Sequence, residues 1–235
     1  MIDVSKIKAI SLDLDDTLWP IWPVIERAEL ALHHWLEEHA PMTAALFSTP
    51  AALRDLRNYA STELVKRKPE LKYDLSALRR ESIRLALFRA KEDPLMAEAA
   101  FDVFMAERNK VVFYDDALPA LERLRTRYPL VALSNGNANV HAVGLGPYFS
   151  ASISAREFGV GKPDAKIFYA AAGALDLTPS DMVHIGDDAS LDVLGALNAG
   201  MQAVWLNRGD HLWAREQAPS MTVSHLHEVC DLLGC

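Results

Sequence analysis

The chain has 235 residues and half of them are hydrophobic, which is enough to bury a sizeable core and excludes a disordered or low-complexity protein. Its formal net charge of −8 at pH 7 disfavours broad binding to nucleic acid or to an anionic membrane, so we expect neither as a partner. Cys230 and Cys235 are too close in sequence to cross-link a fold, and no segment has the pattern of a membrane span or a signal peptide. These features predict a cytoplasmic protein.

The first 110 residues contain one predicted strand followed by a long helical block. Residues 7–14 form a short apolar run that ends in acidic residues, the pattern of a buried strand with a polar carboxyl end. From about residue 20 to residue 110, apolar residues recur at helical spacing and prolines separate the segments, which predicts roughly four helices. Four arginines of this block are predicted to form a solvated charged helix face, with contact between one of them and an anionic substrate tail as the alternative: Arg79, Arg80, Arg84 and Arg89.

Strands and helices alternate after residue 111. Further strands are predicted at residues 130–134, 150–154, 182–186 and 202–206, with helices between them. Such alternation is typical of a parallel sheet covered by helices on both faces, and the N-terminal strand completes the same sheet. The sequence therefore predicts an α/β core formed by residues 1–18 and 111–235, with an inserted all-helical domain at residues 19–110.

Polar clusters follow the predicted strands or open the predicted helices at four places. In open parallel sheets, ligands bind at the carboxyl ends of the strands. Each cluster alone has an ordinary interpretation as a turn or a helix cap, but their order and placement together favour a single site. The clusters are Asp13–Thr17, Ser134–Asn137, Gly161–Asp164, and Gly186–Asp188 with Asp192 one turn further on.

The residue types in these clusters suit phosphoryl transfer. Carboxylates that converge from two strands repel one another and require a cation, and oxygen ligands of this kind suit Mg²⁺. A lysine, a hydroxyl group and main-chain N–H groups can neutralise and hold phosphoryl oxygens. One carboxylate can attack phosphorus to form an aspartyl-phosphate, and a second carboxylate two residues on can protonate the leaving oxygen and then activate water.

These residues resemble the motifs of the haloacid dehalogenase superfamily, a group of Rossmann-like enzymes dominated by phosphatases. The resemblance extends over the whole core, and it implies that residues 19–110 form a helical cap that closes over the substrate. The motif Asp-x-Asp-x-Thr is matched by Asp13, Asp15 and Thr17, the second motif by Ser134, the third by Lys162, and the fourth by Asp187 and Asp192.

The resemblance also implies a role for each matched residue. Asp13 would be the nucleophile and a metal ligand, and Asp15 the general acid and base with its main-chain carbonyl on Mg²⁺. Asp187 would bind the metal directly, Ser134 would hold the phosphoryl group, and Lys162 would stabilise its charge. Asp188 and Asp192 would surround the metal without ligating it directly, and Thr17, Asn135 and Gly136 would contact the substrate.

A closer likeness concerns the C-terminal half of the chain. Residues Leu133–Ala138 and Gly186–Trp205 are similar to bacterial phosphatases that act on flavin mononucleotide and related ribityl or sugar phosphates. This likeness predicts a small phosphorylated metabolite as the substrate, such as flavin mononucleotide, a ribityl or sugar phosphate, or a nucleotide. We expect the protein to act as a monomer or a weak homodimer.

Three alternatives remain open from the sequence. A phosphomutase of the same superfamily would share every motif and differ only in the group that accepts the phosphate. A 2-haloacid dehalogenase lacks the second acid of the first motif, so Asp15 argues against that activity. A non-enzymatic phospho-accepting or binding protein is the third, although its signalling representatives are shorter and lack a helical insert.

His184, in the middle of a predicted strand, is interpreted as a packed core residue.

Overall fold

The computed structural model describes residues 2–209 and 211–235. The chain divides into two compact units. The first runs to Pro20 and resumes from Val112 to Cys235, and the second spans Ile21–Val111. The function of the second unit as a cap stays a prediction.

The second unit is helical throughout its regular elements. Prolines open α2 and α3, and the side chain of Asp74 caps α4 by accepting the N–H of Ala77 at 2.8 Å. Leu36, Leu87 and Phe104 are among the buried residues of its apolar core. Its helices are α1 (Ile21–His39), α2 (Pro41–Leu46), α3 (Pro50–Arg67), α4 (Leu75–Arg89) and α5 (Ala97–Arg108), with short 3₁₀ segments at Pro69–Tyr73 and Pro94–Met96.

The first unit contains a parallel sheet with strand order β3-β2-β1-β4-β5-β6 in its described part. This confirms the predicted α/β class with a Rossmann-like parallel core. The short sixth strand was not predicted, and the first strand is shorter than the apolar run 7–14. The strands are β1 (Ala9–Leu12), β2 (Leu130–Ser134), β3 (Ala151–Ser154), β4 (Met182–Gly186), β5 (Gln202–Leu206) and β6 (Met221–Val223).

The helices of the first unit connect these strands. Glycines in the left-handed region end two of them, with Gly159 after α7 and Gly234 after α10. Among the described helices of either unit, none combines the length and the apolar character that a membrane span needs. The helices are α6 (Ala117–Arg125), α7 (Ala155–Phe158), α8 (Ala165–Gly173), a π-helical turn (Ala189–Leu194) that continues into α9 (Gly195–Asn198), and α10 (Leu226–Leu233).

The register of the sheet brings three chain segments to one edge. Leu12 of β1 is paired with Ala132 of β2 and with Ile185 of β4. Asp13 therefore lies one residue after Leu12. Ser134 lies two residues after Ala132, and Asp187 lies two residues after Ile185. Because the carboxyl ends of parallel strands lie at the same edge of a sheet, these three residues lie at that edge.

Candidate active site

Asp13 directly follows β1 and is almost fully buried. Its main-chain N–H donates to the carbonyl oxygen of Ile185 at 2.9 Å, which ties the end of β1 to β4. Asp16 adopts a left-handed conformation with φ of 58°, which aspartate tolerates better than most residues. The turn brings Trp19 back, and its indole N–H donates to Asp15 Oδ1 at 2.8 Å. The segment therefore folds as a tight loop that carries two carboxylates two residues apart.

Lys162 supplies the positive charge of the site. Its ammonium group is buried, pairs with the Asp13 carboxylate and lies 2.6 Å from Asp192 Oδ1. Burial by itself lowers the pKa of Lys162, but the charges of the two carboxylates outweigh it and raise that pKa above its ordinary value. The Asn135 amide holds the main chain of the lysine, since Asn135 Oδ1 accepts the Lys162 N–H at 2.8 Å and Nδ2 donates to the Lys162 carbonyl at 2.9 Å. Contact of Asn135 with substrate stays a prediction.

Both carboxylate oxygens of Asp192 are engaged by protein groups. Oδ1 lies near Lys162 Nζ and 3.1 Å from His184 Nε2, and Oδ2 accepts the main-chain N–H of Asp188 at 3.0 Å. Burial raises the pKa of Asp192, but Lys162 and His184 outweigh burial and hold that pKa well below its usual value. Gly186 makes room for this carboxylate, because a Cβ at that position would overlap it. These contacts favour a supporting role for Asp192.

His184 is a buried, packed residue as the sequence interpretation expected, but its contact with Asp192 was missed. It is fully buried in β4, and its Nδ1 lies 2.9 Å from the Ser11 hydroxyl on β1, its register partner. Burial lowers the pKa of His184 although Asp192 opposes this shift, so we assign a neutral ring that donates from Nε2 to Asp192 and accepts from Ser11. The sequence signal that could have indicated this contact was one polar residue, Ser11 or His184, in the middle of each of two otherwise apolar strands.

Thr17 and Asp187 are brought together by the sheet edge, as expected from the motifs. The Thr17 hydroxyl donates to Asp187 Oδ1 at 3.2 Å. The indole N–H of Trp205 on β5 donates to the main-chain carbonyl of Asp187 at 2.7 Å, which fixes the chain after β4. Thr17 thus helps to orient an acidic side chain, and its predicted contact with substrate stays a prediction.

An arginine behind the first loop was also missed. Arg208 donates to both carboxylate oxygens of Asp116, at 3.1 and 2.9 Å, and to the main-chain carbonyl of Thr17 at 3.0 Å. Asp116 Oδ2 also accepts the N–H of Leu226 at 2.8 Å. This bidentate pair and its main-chain contacts connect four separate positions of the chain and support the loop that carries Asp15.

The carboxylates of the site need more positive charge than Lys162 provides. Asp13, Asp187 and Asp192 each place an oxygen within 4.8 Å of the others. Burial raises the pKa of Asp13 well above its usual range, and the neighbouring acids add to this shift although Lys162 opposes it. Burial, with the charges of Asp192 and Asp16, raises the pKa of Asp187 to about 7. A divalent cation would relieve this repulsion, and the oxygen-only donors fit Mg²⁺.

The remaining predicted residues lie at the same edge but make other contacts. Ser134 ends β2, and its hydroxyl accepts the N–H of Gly136 at 2.9 Å. Asp188 is exposed, and its Oδ1 accepts the N–H groups of Ser190 and Leu191, each at 2.7 Å, at the start of the π-helical turn. The contacts of Ser134 and Gly136 with a phosphoryl group, and of Asp188 with metal-bound water, stay predictions.

Comparison with known proteins places this geometry in a family. Residues 7–200 match the family model of haloacid dehalogenase-like hydrolases. The chain is 31% identical to the 5-amino-6-(5-phospho-D-ribitylamino)uracil phosphatase YigB of Escherichia coli, with 98% of each chain covered. It is 33% identical to a phosphoserine phosphatase of Thermus thermophilus, with 64% of this chain and 63% of the relative covered.

Solved structures show the same fold. A structure described as a 2-haloacid dehalogenase from Pseudomonas syringae pv. Tomato DC3000 has a TM-score of 0.89 and 35% identity, and covers 97% of this chain and 98% of its own. A phosphatase from Thermococcus onnurineus has a TM-score of 0.65 at 24% identity, covering 97% of this chain and 98% of its own. The second likeness concerns the fold alone.

Proposed function

The chain belongs to the haloacid dehalogenase-like hydrolases, and within that family we propose that it is a Mg²⁺-dependent phosphatase that acts on a small phosphorylated metabolite. The observation that carries this proposal is the first loop, in which Asp13 pairs with Lys162 and a second carboxylate, Asp15, follows two residues on. A phosphomonoester leaves as an alkoxide that needs a proton, and a second carboxyl group can supply it.

The first step forms a bond between Asp13 and phosphorus. A carboxylate oxygen of Asp13 attacks, the bond from phosphorus to the ester oxygen breaks, and the Asp15 carboxyl gives its proton to the departing oxygen. Lys162 offsets the charge beside Asp13, and Ser134 would hold a phosphoryl oxygen. Asp13, Asp187 and the Asp15 carbonyl would hold Mg²⁺, and the ion supplies charge neutralisation for the phosphoryl oxygens.

The second step regenerates the enzyme. The Asp15 carboxylate takes a proton from a water molecule whose oxygen attacks phosphorus, and the bond between phosphorus and Asp13 breaks to release inorganic phosphate. The indole N–H of Trp19 holds Asp15 Oδ1 at 2.8 Å, which limits the rotation of the carboxyl group. The proton that leaves Asp15 in the first step is thus recovered in the second.

The relatives support a proposal for the substrate class. YigB, which matches over nearly its whole length, is named for a phosphorylated ribitylamino-uracil. We therefore propose a ribityl, sugar or flavin phosphate as the substrate, hydrolysed in the cytoplasm by a monomer or weak homodimer. The free thiols of Cys230 and Cys235 suit a reducing compartment.

Dehalogenation is the second candidate, because the structure with a TM-score of 0.89 is described as a 2-haloacid dehalogenase. In that reaction a carboxylate such as Asp13 attacks carbon, and halide leaves without a proton. Asp15 would then have no proton to deliver, and the acidic cluster of Asp13, Asp187 and Asp192 would have no metal ion to bind. The first loop therefore favours phosphate ester hydrolysis over dehalogenation.

A release assay with two arms tests the assignment. The purified protein is incubated with Mg²⁺ and either metabolite monophosphates or short 2-haloacids, and free phosphate and free halide are measured, with Asp13→Asn as the blank. We expect phosphate release, with ribityl, sugar or flavin phosphates among the substrates, and no halide above the blank. Halide release without phosphate release would replace the phosphatase with the dehalogenase.

Asp15→Asn is expected to slow the first step selectively. The amide oxygen can still accept the Trp19 N–H, but the side chain can no longer give a proton, so kcat/KM for alkyl phosphates should fall by roughly 10²-fold or more. The loss should be smaller for an aryl phosphate, whose phenolate leaves more readily. Steady-state kinetics with both substrate types measure this difference, and an equal small loss for both would remove Asp15 from the acid role.

Removal of divalent metal is expected to stop turnover and lower the melting temperature. Without a metal ion, Lys162 offsets the repulsion among Asp13, Asp187 and Asp192 only in part, so added Mg²⁺ should restore activity and stabilise the folded state. Thermal unfolding across a Mg²⁺ titration reports binding independently of catalysis. Asp187→Asn should reduce the rise in melting temperature that Mg²⁺ produces. Full activity in chelator would contradict the metal assignment.

A further inference from the structure

A buried carboxylate in the helical unit faces three guanidinium groups. Glu29 of α1 is 4% exposed. Arg54 of α3 donates to Glu29 Oε2 from Nε at 2.8 Å and from Nη2 at 2.6 Å. Arg57 of α3 donates from Nη1 to Oε1 at 3.1 Å, and Arg79 of α4 places Nη1 3.6 Å from the same oxygen. Three cations therefore meet one anion, with a net charge of +2.

The three arginines differ in how burial and Glu29 affect their pKa values. The pKa of Arg54 is raised by its hydrogen bond to Glu29, and Glu26 and Asp55 add to this effect from nearby. Burial lowers the pKa of Arg57, and burial together with the charge of Arg57 lowers the pKa of Arg79 to about 9. Glu29 therefore favours the charged form of Arg54 most strongly, and burial opposes the charged forms of Arg57 and Arg79.

Arg79 has few acceptors for its donors. Its side chain is 11% exposed, so the expected solvated surface position is wrong. The guanidinium lies over the ring of Phe104, 3.6 Å from the centroid, and its distance to Glu29 exceeds that of a good hydrogen bond. A guanidinium carries five N–H donors, and a buried cation with weak partners is costly.

A small cavity adjoins these groups. Its volume is about 20 Å³, which admits one small group such as a water molecule or a monatomic anion and excludes a whole phosphate. A water molecule could accept hydrogen bonds there, but it would leave the net charge of the cluster unchanged. The lining residues other than the four charged ones are Leu32, Pro50, Leu53, Ser82 and Ile83.

We propose that this cavity binds a small monovalent anion of the size of chloride, held mainly by Arg57 and Arg79 and enclosed by α1, α3 and α4. The anion accepts N–H donors that Glu29 leaves unused and lowers the net charge of the cluster from +2 to +1. It joins three helices of this unit, so its binding stabilises the folded chain. All of the residues that line the cavity belong to the second unit.

Thermal unfolding of the full chain tests this site in chloride-free buffer. Sodium chloride or bromide is titrated against sodium gluconate at equal ionic strength, since gluconate is too large for the cavity. We expect the halides to raise the melting temperature in a saturable manner beyond the gluconate control. Arg57→Gln should lose this increment, whereas Arg67→Gln, an exposed arginine on the same helix, should keep it.

Glu29→Gln separates anion binding from loss of structure. This variant keeps the three arginines but raises the net charge of the cluster to +3, so its melting temperature should fall in gluconate and recover strongly in halide. Crystals soaked in bromide should show an anomalous peak between Arg57 and Arg79. Equal melting temperatures in halide and gluconate for both the wild type and Glu29→Gln, or no bromide peak at the cluster, would overturn the proposal.

Discussion

Replacing Asp13 with asparagine is expected to abolish turnover while the chain stays folded. An amide is a poor nucleophile and a weaker metal ligand than a carboxylate, so kcat should fall by at least about 10⁴-fold, as expected when a nucleophile that forms a covalent intermediate is lost. The fold should survive because Lys162 keeps Asp192 as an ion-pair partner. The acidic neighbours already oppose ionisation of Asp13, so removing its charge also relieves repulsion.

Phosphate release and circular dichroism together check this result. The far-ultraviolet spectrum and the melting temperature of Asp13→Asn should remain close to those of the wild type, while phosphate release falls to background. Asp55→Asn, an acidic position in the helical unit outside the catalytic groups, serves as a matched substitution that should retain activity. Turnover of Asp13→Asn near the wild-type rate would exclude Asp13 as the nucleophile.

Lys162→Met is expected to reduce both turnover and stability. Methionine fills a similar volume but leaves Asp13 and Asp192 without their shared cation, and uncompensated buried charge typically costs about 3–5 kcal/mol. Loss of the charge that faces the phosphoryl group should lower kcat by roughly 10²- to 10³-fold. Urea unfolding in chelator and in Mg²⁺ separates the two effects, since Mg²⁺ should recover part of the stability.

The stability of Lys162→Met in chelator is expected to fall as pH rises. The folded-state pKa of Asp187 is about 7 against an ordinary 3.8, so in chelator this group destabilises the fold as pH rises from about 4 towards 7. Without Lys162 the other carboxyls lose an opposing charge, and the decline should become steeper. Lys166→Met, which removes an exposed lysine of α8, should behave as the wild type. Unchanged stability and activity in Lys162→Met would contradict the role of Lys162.

Local patterns predicted the sheet because its inner strands are buried throughout. β2 and β4 consist of five buried residues each, and such strands form short apolar runs that end in polar residues. β6 has only three residues, Met221–Val223, which is too short for a periodic pattern. The five helices of the second unit include the six-residue α2, which explains why four were expected.

The site was partly predictable for the same reason. Asp13 and Asp187 follow buried strands in sequence, and the carboxyl ends of parallel strands lie at one edge of a sheet, so their convergence was expected. Arg208 and Asp116 are 92 residues apart and carry no local pattern, so their pairing emerges only from the folded chain. The burial of Arg79 was likewise hidden, because a charged residue in an arginine-rich helix resembles a solvated face until Glu29 and Phe104 are placed beside it.

The most direct test of the proposed phosphatase mechanism is whether Asp13 carries the phosphoryl group during turnover. In Asp15→Asn, an aryl phosphate can still enter the first step while hydrolysis of the intermediate is slowed, so the covalent form should accumulate. Acid quenching, proteolysis and mass spectrometry then locate the adduct. We predict one phosphoryl group on Asp13 in the peptide that contains the first loop, formed only with Mg²⁺. Phosphate release with the phosphoryl group on another residue, or with Asp13 unmodified throughout, would contradict it.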